Sequence, residues 1–452
     1  MKLFGTDGIR ARYGEAPLDP TTLLAIGRAV RARLVNRDES PRVVMAGDTR
    51  ESTTDLARHL LSGLGTDTRV DWGGVLPTPA VAILTRTSEA TLGIALSASH
   101  NPFHDNGIKF FDGDGFKFDD EQEADLEARI RHELDSPGSA GESLPELADP
   151  DPALRRAYLD ALTSEPGAAT RAGGSALHGL RVVLDTGHGA AFRIAPTAFE
   201  RLGAEVAVLC DAPDGRNIND ACGSTAPEKA AALVREVNAD IGFAFDGDAD
   251  RVIVVDQQGD IRDGDELLVV LARAAHAAGD LEPPQIVATS MSNLGLERAL
   301  EEDGISVARC DVGDRAVVAM LRERGLRIGG EQSGHLVDLA HSTTGDGVRT
   351  ALDLARMVHR SGKAFGELAH GFARFPQTLI NVPVKGKPPF ESVPGVLDSL
   401  KAVERELKGR GRVVLRYSGT EPLARVMVEA DDEALVAALG QRLADVLAAE
   451  LG

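Results

Sequence analysis

Short apolar runs along the chain end in polar, glycine-containing loops, and helical spacing of apolar residues follows each loop. Val43–Gly65, Val182–Gly203 and Ile286–Gly304 each predict a strand, a Gly/Ser/Asp loop and a helix that ends at a glycine. A strand–loop–helix unit that occurs three times indicates three related α/β domains of the parallel-sheet type.

The first of these units has predicted bounds that a structure can check. Asp19 and Pro20 are typical of a helix start, because aspartate caps the first turn and proline fits the first helical position. A strand is predicted at Arg42–Ala46, a helix at Thr54–Leu64 and a loop at Val75–Pro79.

The pattern changes after about residue 371, where strands and helices no longer alternate regularly. The predicted elements are strands at Thr378–Val384, Arg412–Arg416 and Arg425–Glu429, and helices at Val393–Leu407 and Glu433–Leu451. They indicate a compact α+β domain at the C-terminus. Asp135–Pro152, rich in Pro, Gly, Ser and acidic residues, is the best linker in the chain.

The segment Thr91–Phe111 combines a buried strand with reactive side chains. An apolar strand, Thr91–Leu96, precedes a polar loop, Ser97–Gly107. Ser99, His100 and Lys109 bring a hydroxyl, an imidazole and an amine into one short span, which suits covalent group transfer. The alternative is a polar loop whose serines only cap turns.

A second polar segment, Asp246–Arg251, lies between predicted strands at Ile241–Phe245 and Val252–Asp256. Its three aspartates stand at alternate positions around a glycine, so their carboxylates can converge on one hard divalent cation. An EF-hand loop is excluded because it needs glycine at Arg251 and glutamate at Gln257. The alternative is an acidic turn, although three unpaired carboxylates would repel one another.

Three further segments carry groups that could recognise a substrate. The loop amides, hydroxyls and arginines of Arg416–Pro422, with Arg425, resemble an anion cradle; the alternative is a hairpin with a Ser-Gly turn. The glycine-rich bend Gly329–His335 offers a carboxylate, a hydroxyl and an imidazole for sugar hydroxyl or amine recognition, or is a turn with satisfied polar groups. Phe4–Arg10 is a glycine-rich turn that ends in arginine.

Composition narrows the class of protein. A chain of 452 residues predicts about three domains, and 43% hydrophobic and 26% charged residues are ordinary for a globular protein. The polar N-terminus is no signal peptide, and no apolar run approaches the ~20 residues of a membrane span. The three scattered cysteines fit a reducing compartment and argue against a zinc or disulfide framework. We therefore expect a cytoplasmic protein.

The net charge of −21 argues against nucleic acid or an anionic membrane as partner. If the substrate is a phosphate ester, arginine and lysine must be concentrated in one cleft against this overall charge. The sequence leaves the oligomeric state open, with a homodimer among the alternatives.

Together these motifs resemble the α-D-phosphohexomutase superfamily and, within it, the bacterial phosphoglucosamine mutases. The motifs that carry the resemblance are FGTDGIR (4–10), SASHNP with DNGIKFF (97–111), NINDACGST (217–225), DGDADR (246–251), SNLGLE (292–297), VGDR (312–315), GGEQSGH (329–335), TTGDG (343–347) and RYSGTEP (416–422). One departure is His188, which stands where the family often has asparagine.

The resemblance implies an α/β fold of four domains around a central cleft, three related mixed α/β domains and a C-terminal α+β domain. We place the domains at 1–150 with the phosphoserine loop, 151–256 with the metal loop, 257–370 with the sugar-recognition loop and 371–452 with the phosphate-binding loop. The implied activity is interconversion of glucosamine 6-phosphate and glucosamine 1-phosphate, which feeds UDP-N-acetylglucosamine and cell-wall precursor synthesis.

The resemblance also implies a role for each motif residue. Ser99 is the phosphoserine, and with Asp246, Asp248 and Asp250 it holds Mg²⁺. The implied catalytic residues are Ser99, His100, Lys109, Arg251 and Arg10. The implied substrate-binding residues are Glu331, Ser333, His335, Arg416, Ser418, Gly419, Thr420 and Arg425. Glucosamine 1,6-bisphosphate is the implied intermediate or activator, and the partner is a small sugar phosphate.

Two mechanistic expectations follow. Mg²⁺, Arg251 and Lys109 neutralise the transferring phosphoryl group. Lys109, with His100 as its neighbour, is the candidate proton carrier, because a metal and an arginine nearby would lower its pKa. Three alternatives stay open: a phosphomannomutase/phosphoglucomutase of the same superfamily, a catalytically idle sugar-phosphate-binding protein, and a phosphatase with Asp246 as nucleophile.

Overall fold

The structure, a computed structural model, describes residues 3–5, 7–35, 40–135, 144–164, 176–418 and 421–452. The chain forms two compact units, Met1–Thr289 with Val307–His370, and Ser290–Ser306 with Gly371–Gly452. The second unit thus includes a segment from within the predicted third domain. No helix of the described ranges is long and apolar enough to cross a bilayer.

The first sheet of the larger unit has five strands in the order β1-β5-β4-β2-β3. Its elements are β1 (Ile9–Arg12), α1 (Pro20–Val35), β2 (Arg42–Gly47), α2 (Thr53–Leu64), β3 (Arg69–Val75), α3 (Thr78–Thr87), β4 (Leu92–Leu96), β5 (Asp105–Asp112) and α4 (Asp120–Asp135). Strands β3, β2 and β4 are parallel, and β5 and β1 are added antiparallel.

Local chemistry explains why these elements begin and end where they do. The Asp19 carboxylate accepts hydrogen bonds from the backbone N–H groups of Thr21 and Thr22, and so caps α1 as predicted. Gly65, with φ of 68°, ends α2 in a backbone conformation that disfavours residues with a Cβ. Every residue of β4 is buried, as its unbroken apolar run requires.

Two predicted loops are shorter in the structure. The loop at Ser97–Gly107 was expected to reach Gly107, but β5 already begins at Asp105 because Asp105 and Asn106 pair with β1. The loop at Val75–Pro79 was expected to include Thr78, which instead begins α3. At the start of β5, strand pairing outweighs the local polar pattern. At the start of α3, proline in the first helical turn does so.

The second sheet has the same plan as the first, with strand order β10-β9-β8-β6-β7. Its elements are α5 (Pro152–Thr163), β6 (Arg181–Asp185), α6 (Ile194–Arg201), β7 (Glu205–Leu209), α7 (Glu228–Val237), β8 (Ile241–Phe245), β9 (Val252–Asp256) and β10 (Ile261–Arg262). Strands β7, β6 and β8 are parallel, and β9 and β10 follow antiparallel. Of the predicted linker, residues 136–143 lie outside the described residues, and 144–151 form no helix or strand.

A third sheet, of order β12-β11-β13-β14, repeats the plan with fewer strands. The elements of this part of the chain are α8 (Gly264–Ala277), β11 (Gln285–Thr289), α9 (Leu294–Glu301), β12 (Ser306–Cys310), α10 (Asp314–Arg324), β13 (Ile328–Gly330), β14 (Leu336–Asp338), α11 (Gly347–Ser361) and α12 (Phe365–Leu368). Strand β13 is parallel to β11 and antiparallel to β14. The predicted strand–loop–helix repeat is therefore confirmed in all three places.

The smaller unit has an antiparallel sheet of order β15-β17-β16. Its elements are α9, whose bounds are given above, and β15 (Gln377–Pro383), α13 (Pro394–Leu407), β16 (Gly411–Tyr417), β17 (Leu423–Ala430) and α14 (Glu433–Leu451). Val403 of α13, Val426 of β17 and Leu443 of α14 are fully buried in one apolar core. The predicted α+β pattern of this region is confirmed.

The three-fold repeat determines where the polar loops lie. In each large sheet one loop joins the last parallel strand to its antiparallel neighbour: β4 to β5, β8 to β9, and β13 to β14. These loops carry the Ser99 segment, the aspartate segment and the Gly329–His335 bend, respectively. The same position in three related sheets therefore supplies three different chemical groups.

Candidate active site

Ser99 is buried in the β4–β5 loop and points at the aspartate segment. Its Oγ donates a hydrogen bond to Asp246 Oδ2 at 2.6 Å. Its φ of 53° lies in the left-handed region, which is unusual for a residue with a side chain. The Ser97 hydroxyl accepts a hydrogen bond from the Ser99 amide at 2.9 Å, so Ser97 supports the conformation of Ser99.

Side chains from two other loops donate hydrogen bonds to the backbone at Ser99. The Asn219 side chain donates to the carbonyl oxygens of Ser99, at 3.0 Å, and Asn101, at 3.1 Å. The Arg50 guanidinium donates to the same two carbonyls, at 3.3 and 2.6 Å. Neither residue has a local sequence pattern that indicates this role, although both lie in polar loops that follow strands.

Asp246, Asp248 and Asp250 are all buried, and one oxygen of each lies within 4.8 Å of the others. Asp248 Oδ1 is buried without a hydrogen-bond partner among the described residues. Burial and the charges of Asp250 and Asp248 raise the pKa of Asp246 well above its usual value. A divalent cation would satisfy the unpaired oxygen and relieve this repulsion, so the donor set fits Mg²⁺.

Lys109 on β5 is surrounded by three carboxylates. Its Nζ lies 2.9 Å from Asp248, 3.1 Å from Asp7 and 3.3 Å from Asp250. Burial alone would lower its pKa, but the three carboxylates raise the pKa well above its usual value. The expectation of a lowered Lys109 pKa is therefore wrong for the protein without a bound cation, because Asp248, Asp7 and Asp250 together outweigh burial and the charge of Arg10. In that state Lys109 is charged near neutrality.

The pKa of His100 is lowered, whereas that of Lys109 is raised. The His100 Nδ1 lies 3.4 Å from Ser99 Oγ and 3.1 Å from the Arg251 guanidinium, which donates to it. Burial, followed by the charges of Arg251 and Arg10, lowers the His100 pKa to about 4. The imidazole is therefore neutral at pH 7, with an acceptor atom next to the serine hydroxyl.

Arg10 and Arg251 complete the polar surroundings of Ser99. Arg10, on β1, donates to Asp7 Oδ2 at 2.8 Å, and Asp7 in turn contacts Lys109 and Lys117. The Arg251 backbone N–H donates to Asp246 Oδ1 at 3.1 Å. Asp7 belongs to the FGTDGIR motif, so the signal was present in the sequence, but only Arg10 was taken from it.

The β13–β14 loop contributes a histidine to the same region. His335 is buried, with Nδ1 3.5 Å from Asp250 Oδ1 and Nε2 accepting a hydrogen bond from the Gly345 amide at 3.1 Å. Glu331 accepts from the Gly313 amide at 3.1 Å, and Ser333 is exposed. The structure thus places His335 against the aspartate segment.

In the smaller unit, Arg416 and Arg425 are direct cross-strand partners on β16 and β17. Like charges opposite one another destabilise a sheet unless an anion lies between them. Arg425 also donates to Glu421 at 2.9 Å, and the Ser418 hydroxyl accepts from the Glu421 amide at 3.3 Å. Gly419 and Thr420 lie outside the described residues.

The chain matches models of one protein family along most of its length. Models of the phosphoglucomutase/phosphomannomutase family match in order: α/β/α domain I at 1–136, domain II at 156–259, domain III at 263–375 and the C-terminal domain at 379–446. The predicted fold class, three α/β domains and a C-terminal domain, is thereby confirmed.

Two relatives with full-length similarity carry the same name. The chain is 46% identical to a phosphoglucosamine mutase of Aeromonas hydrophila over 98% of both chains. It is 45% identical to one of Solidesulfovibrio magneticus, over 100% of this chain and 99% of the relative.

Solved structures agree on the fold. A phosphoglucomutase/phosphomannomutase family protein of Burkholderia thailandensis superposes with a TM-score of 0.79 at 25% identity, covering 99% of this chain and 97% of that one. An N-acetylphosphoglucosamine mutase of Aspergillus fumigatus, in complex with GlcNAc-6P and magnesium, has a TM-score of 0.65 at 16% identity, covering 100% and 96%. The chain therefore belongs to the α-D-phosphohexomutase superfamily, in the family of the bacterial phosphoglucosamine mutases.

Proposed function

We propose that this chain interconverts glucosamine 6-phosphate and glucosamine 1-phosphate through phosphorylated Ser99 and a glucosamine 1,6-bisphosphate. The observation that carries the proposal is the 2.6 Å hydrogen bond from Ser99 Oγ to Asp246, in a chain that is 46% identical to a phosphoglucosamine mutase. The product would feed UDP-N-acetylglucosamine and cell-wall precursor synthesis.

The proposed first step moves the phosphoryl group from Ser99 to the sugar. The Ser99 Oγ–P bond breaks, the O1–P bond of glucosamine 6-phosphate forms, and the O1 proton passes through a neighbouring group to the departing Ser99 oxygen. His100 is our candidate for this relay in place of Lys109: its Nδ1 lies 3.4 Å from Ser99 Oγ and would exchange the hydrogen bond that it accepts from Arg251 for one from the O1 hydroxyl. After the bisphosphate turns around, the O6–P bond breaks, the Ser99 Oγ–P bond forms again, and the Ser99 hydroxyl proton passes by the same route to O6 of glucosamine 1-phosphate.

Fixed cations support this transfer. Mg²⁺, when held by Asp246, Asp248 and Asp250 with a phosphoserine oxygen, supplies charge neutralisation at the transferring group. Lys109 keeps its charge because three carboxylates surround it, and Arg251 faces His100. These side chains position the phosphoryl oxygens and need no movement during transfer.

The substrate is tested by comparing glucosamine, glucose and mannose 6-phosphates on one enzyme preparation. We expect kcat/KM to be at least about tenfold higher for glucosamine 6-phosphate, since a site that bonds the amine rejects its hydroxyl analogue. Glu331→Gln should reduce this preference while keeping the bond that its side-chain oxygen accepts from Gly313. Equal or greater activity on mannose or glucose 6-phosphate would favour the phosphomannomutase/phosphoglucomutase alternative.

The phosphate that does not react is assigned to Arg416, Ser418, Gly419, Thr420 and Arg425. Arg425→Ala should raise KM for the sugar phosphate about 10- to 100-fold, because a charge-assisted hydrogen bond contributes roughly 1.5–3 kcal/mol. The matched control is Arg405→Ala, because Arg405 is exposed on α13 and donates only to a local carbonyl. An unchanged KM in the Arg425 variant would remove this residue from the phosphate site.

A further inference from the structure

A cluster of metal-ligating side chains lies outside the residues assigned to the candidate active site. His188, Cys210 and Cys222 each offer one ligand atom, and these atoms lie within 4.8 Å of one another. His188 belongs to the loop after β6, Cys210 follows β7, and Cys222 precedes the 3₁₀ turn at Gly223–Thr225. We call these three residues the thiol–imidazole cluster.

Backbone hydrogen bonds fix the three ligands relative to one another. The Cys210 carbonyl accepts from the His188 amide at 2.6 Å and from the Thr186 hydroxyl at 2.7 Å. The Asp185 carboxylate accepts from Gly187, at the base of the His188 loop, and from Gly223, next to Cys222, both at 2.9 Å. The cluster is therefore preorganised by the fold.

The polar atoms of the cluster have few partners. His188 Nδ1 is buried and has no hydrogen-bond partner among the described residues. Cys222 is fully buried; the Cys210 and Cys222 thiols hydrogen bond to each other, and the Cys210 thiol also hydrogen bonds to Asp185.

We propose that the thiol–imidazole cluster binds one soft divalent cation of the Zn²⁺ class. Cys210 and Cys222 would coordinate as thiolates and His188 as a neutral imidazole, with water in the fourth tetrahedral position. Two metal–sulfur bonds and one metal–nitrogen bond form, and the two thiol protons are released to solvent. Thiolate and imidazole ligands select Zn²⁺ over Mg²⁺, which requires oxygen ligands.

The ligand distances allow this coordination. Zinc bonds of about 2.0–2.3 Å place ligand atoms roughly 3.3–3.8 Å apart in a tetrahedron. The ligand atoms lie within 4.8 Å of one another, so binding would draw the three side chains closer together. His188 and Cys210 are partly exposed, which gives an ion a route to the cluster.

The cluster is connected to the Ser99 loop. The Asn219 amide donates to the Gly187 carbonyl at 2.8 Å, while its side chain holds the Ser99 carbonyl. The Thr49 hydroxyl donates to the His188 carbonyl at 2.6 Å.

A cation that binds the folded cluster and not the unfolded chain should raise the midpoint of thermal unfolding.

The test is a Co²⁺ titration of the reduced full-length protein in excess Mg²⁺. We expect a sulfur-to-cobalt charge-transfer band that saturates at one ion per chain, disappears when Zn²⁺ displaces Co²⁺, and is absent from Cys222→Ser. Cys310→Ser is the matched control, because Cys310 is buried and lies outside the cluster. Zn²⁺ should raise the unfolding midpoint of this control and not that of the Cys222 variant.

A second variant covers the case in which Cys222→Ser does not fold. His188→Asn introduces the residue that the family often has there and retains both thiols. It should weaken Co²⁺ binding at least about tenfold, since even residues that only support metal ligands contribute that much to affinity. Absence of the band from the starting protein, or a band of equal affinity in the folded variants, would overturn the proposal.

Discussion

Replacing Ser99 with alanine should lower kcat at least about 10³-fold, because the proposed cycle stores the phosphoryl group on this hydroxyl between two transfers. The Ser99 side chain is fully buried against Asp246. The measurement is turnover of glucosamine 6-phosphate with a hexose 1,6-bisphosphate added, so that supply of the bisphosphate does not limit the variant.

Ser97→Ala is the matched comparison for Ser99. It removes a buried hydroxyl from the same loop, one that accepts the hydrogen bond of the Ser99 amide. Since that bond only supports the backbone, the loss of kcat should stay within about tenfold. Equal losses in the two variants would mean that loop conformation, and not a phosphorylated hydroxyl, explains the effect of Ser99.

Asp246→Asn should lower activity at least about 100-fold and at the same time stabilise the chelator-treated protein. Loss of a proposed metal ligand weakens Mg²⁺ binding. Burial, Asp250 and Asp248 raise the pKa of Asp246, so its charged form destabilises the fold. Stability of the metal-free protein should therefore fall as pH rises through this raised pKa, and the asparagine variant should lose that pH dependence.

Asp256→Asn is the control for Asp246→Asn, because Asp256 is a buried aspartate with a cationic partner. Asp256 is fully buried, and its Oδ2 lies 2.7 Å from Arg262. Asp256→Asn should destabilise the protein by about 1–3 kcal/mol, because it leaves a hydrogen-bonded charge pair incomplete. Denaturant unfolding of both variants in EDTA at two pH values gives the comparison. Destabilisation by Asp246→Asn would contradict the argument from repulsion.

The sequence predicted best those elements that are defined by burial on both faces. Strands β8 and β9 were predicted with the bounds that the structure has, because continuous apolar runs flank the aspartate segment. The start of β5 was missed because Asp105 and Asn106 have polar side chains. Their place in the sheet depends on pairing with β1, a contact that no local pattern contains.

In the candidate active site too, the sequence predicted what depends on local spacing and missed what depends on long-range contacts. The spacing of Asp246, Asp248 and Asp250 in one loop sufficed to predict that they converge. The pKa of Lys109 was predicted in the wrong direction, because it depends on contacts with Asp248, Asp7 and Asp250, which are all distant in sequence. Cys210 and Cys222 are not spaced along the sequence as metal ligands usually are. They come together in the fold because Cys210 follows β7 and Cys222 stands at the far end of the next loop.

The most direct test of the account is peptide mass spectrometry of the purified protein, combined with glucosamine 6-phosphate turnover on the same sample. Incubation with a hexose 1,6-bisphosphate should place one phosphoryl group on the peptide that contains Ser99, and subsequent glucosamine 6-phosphate should remove it. A protein that turns over the substrate with phosphate on Asp246, or with Ser99 unmodified throughout, would contradict the phosphoserine cycle.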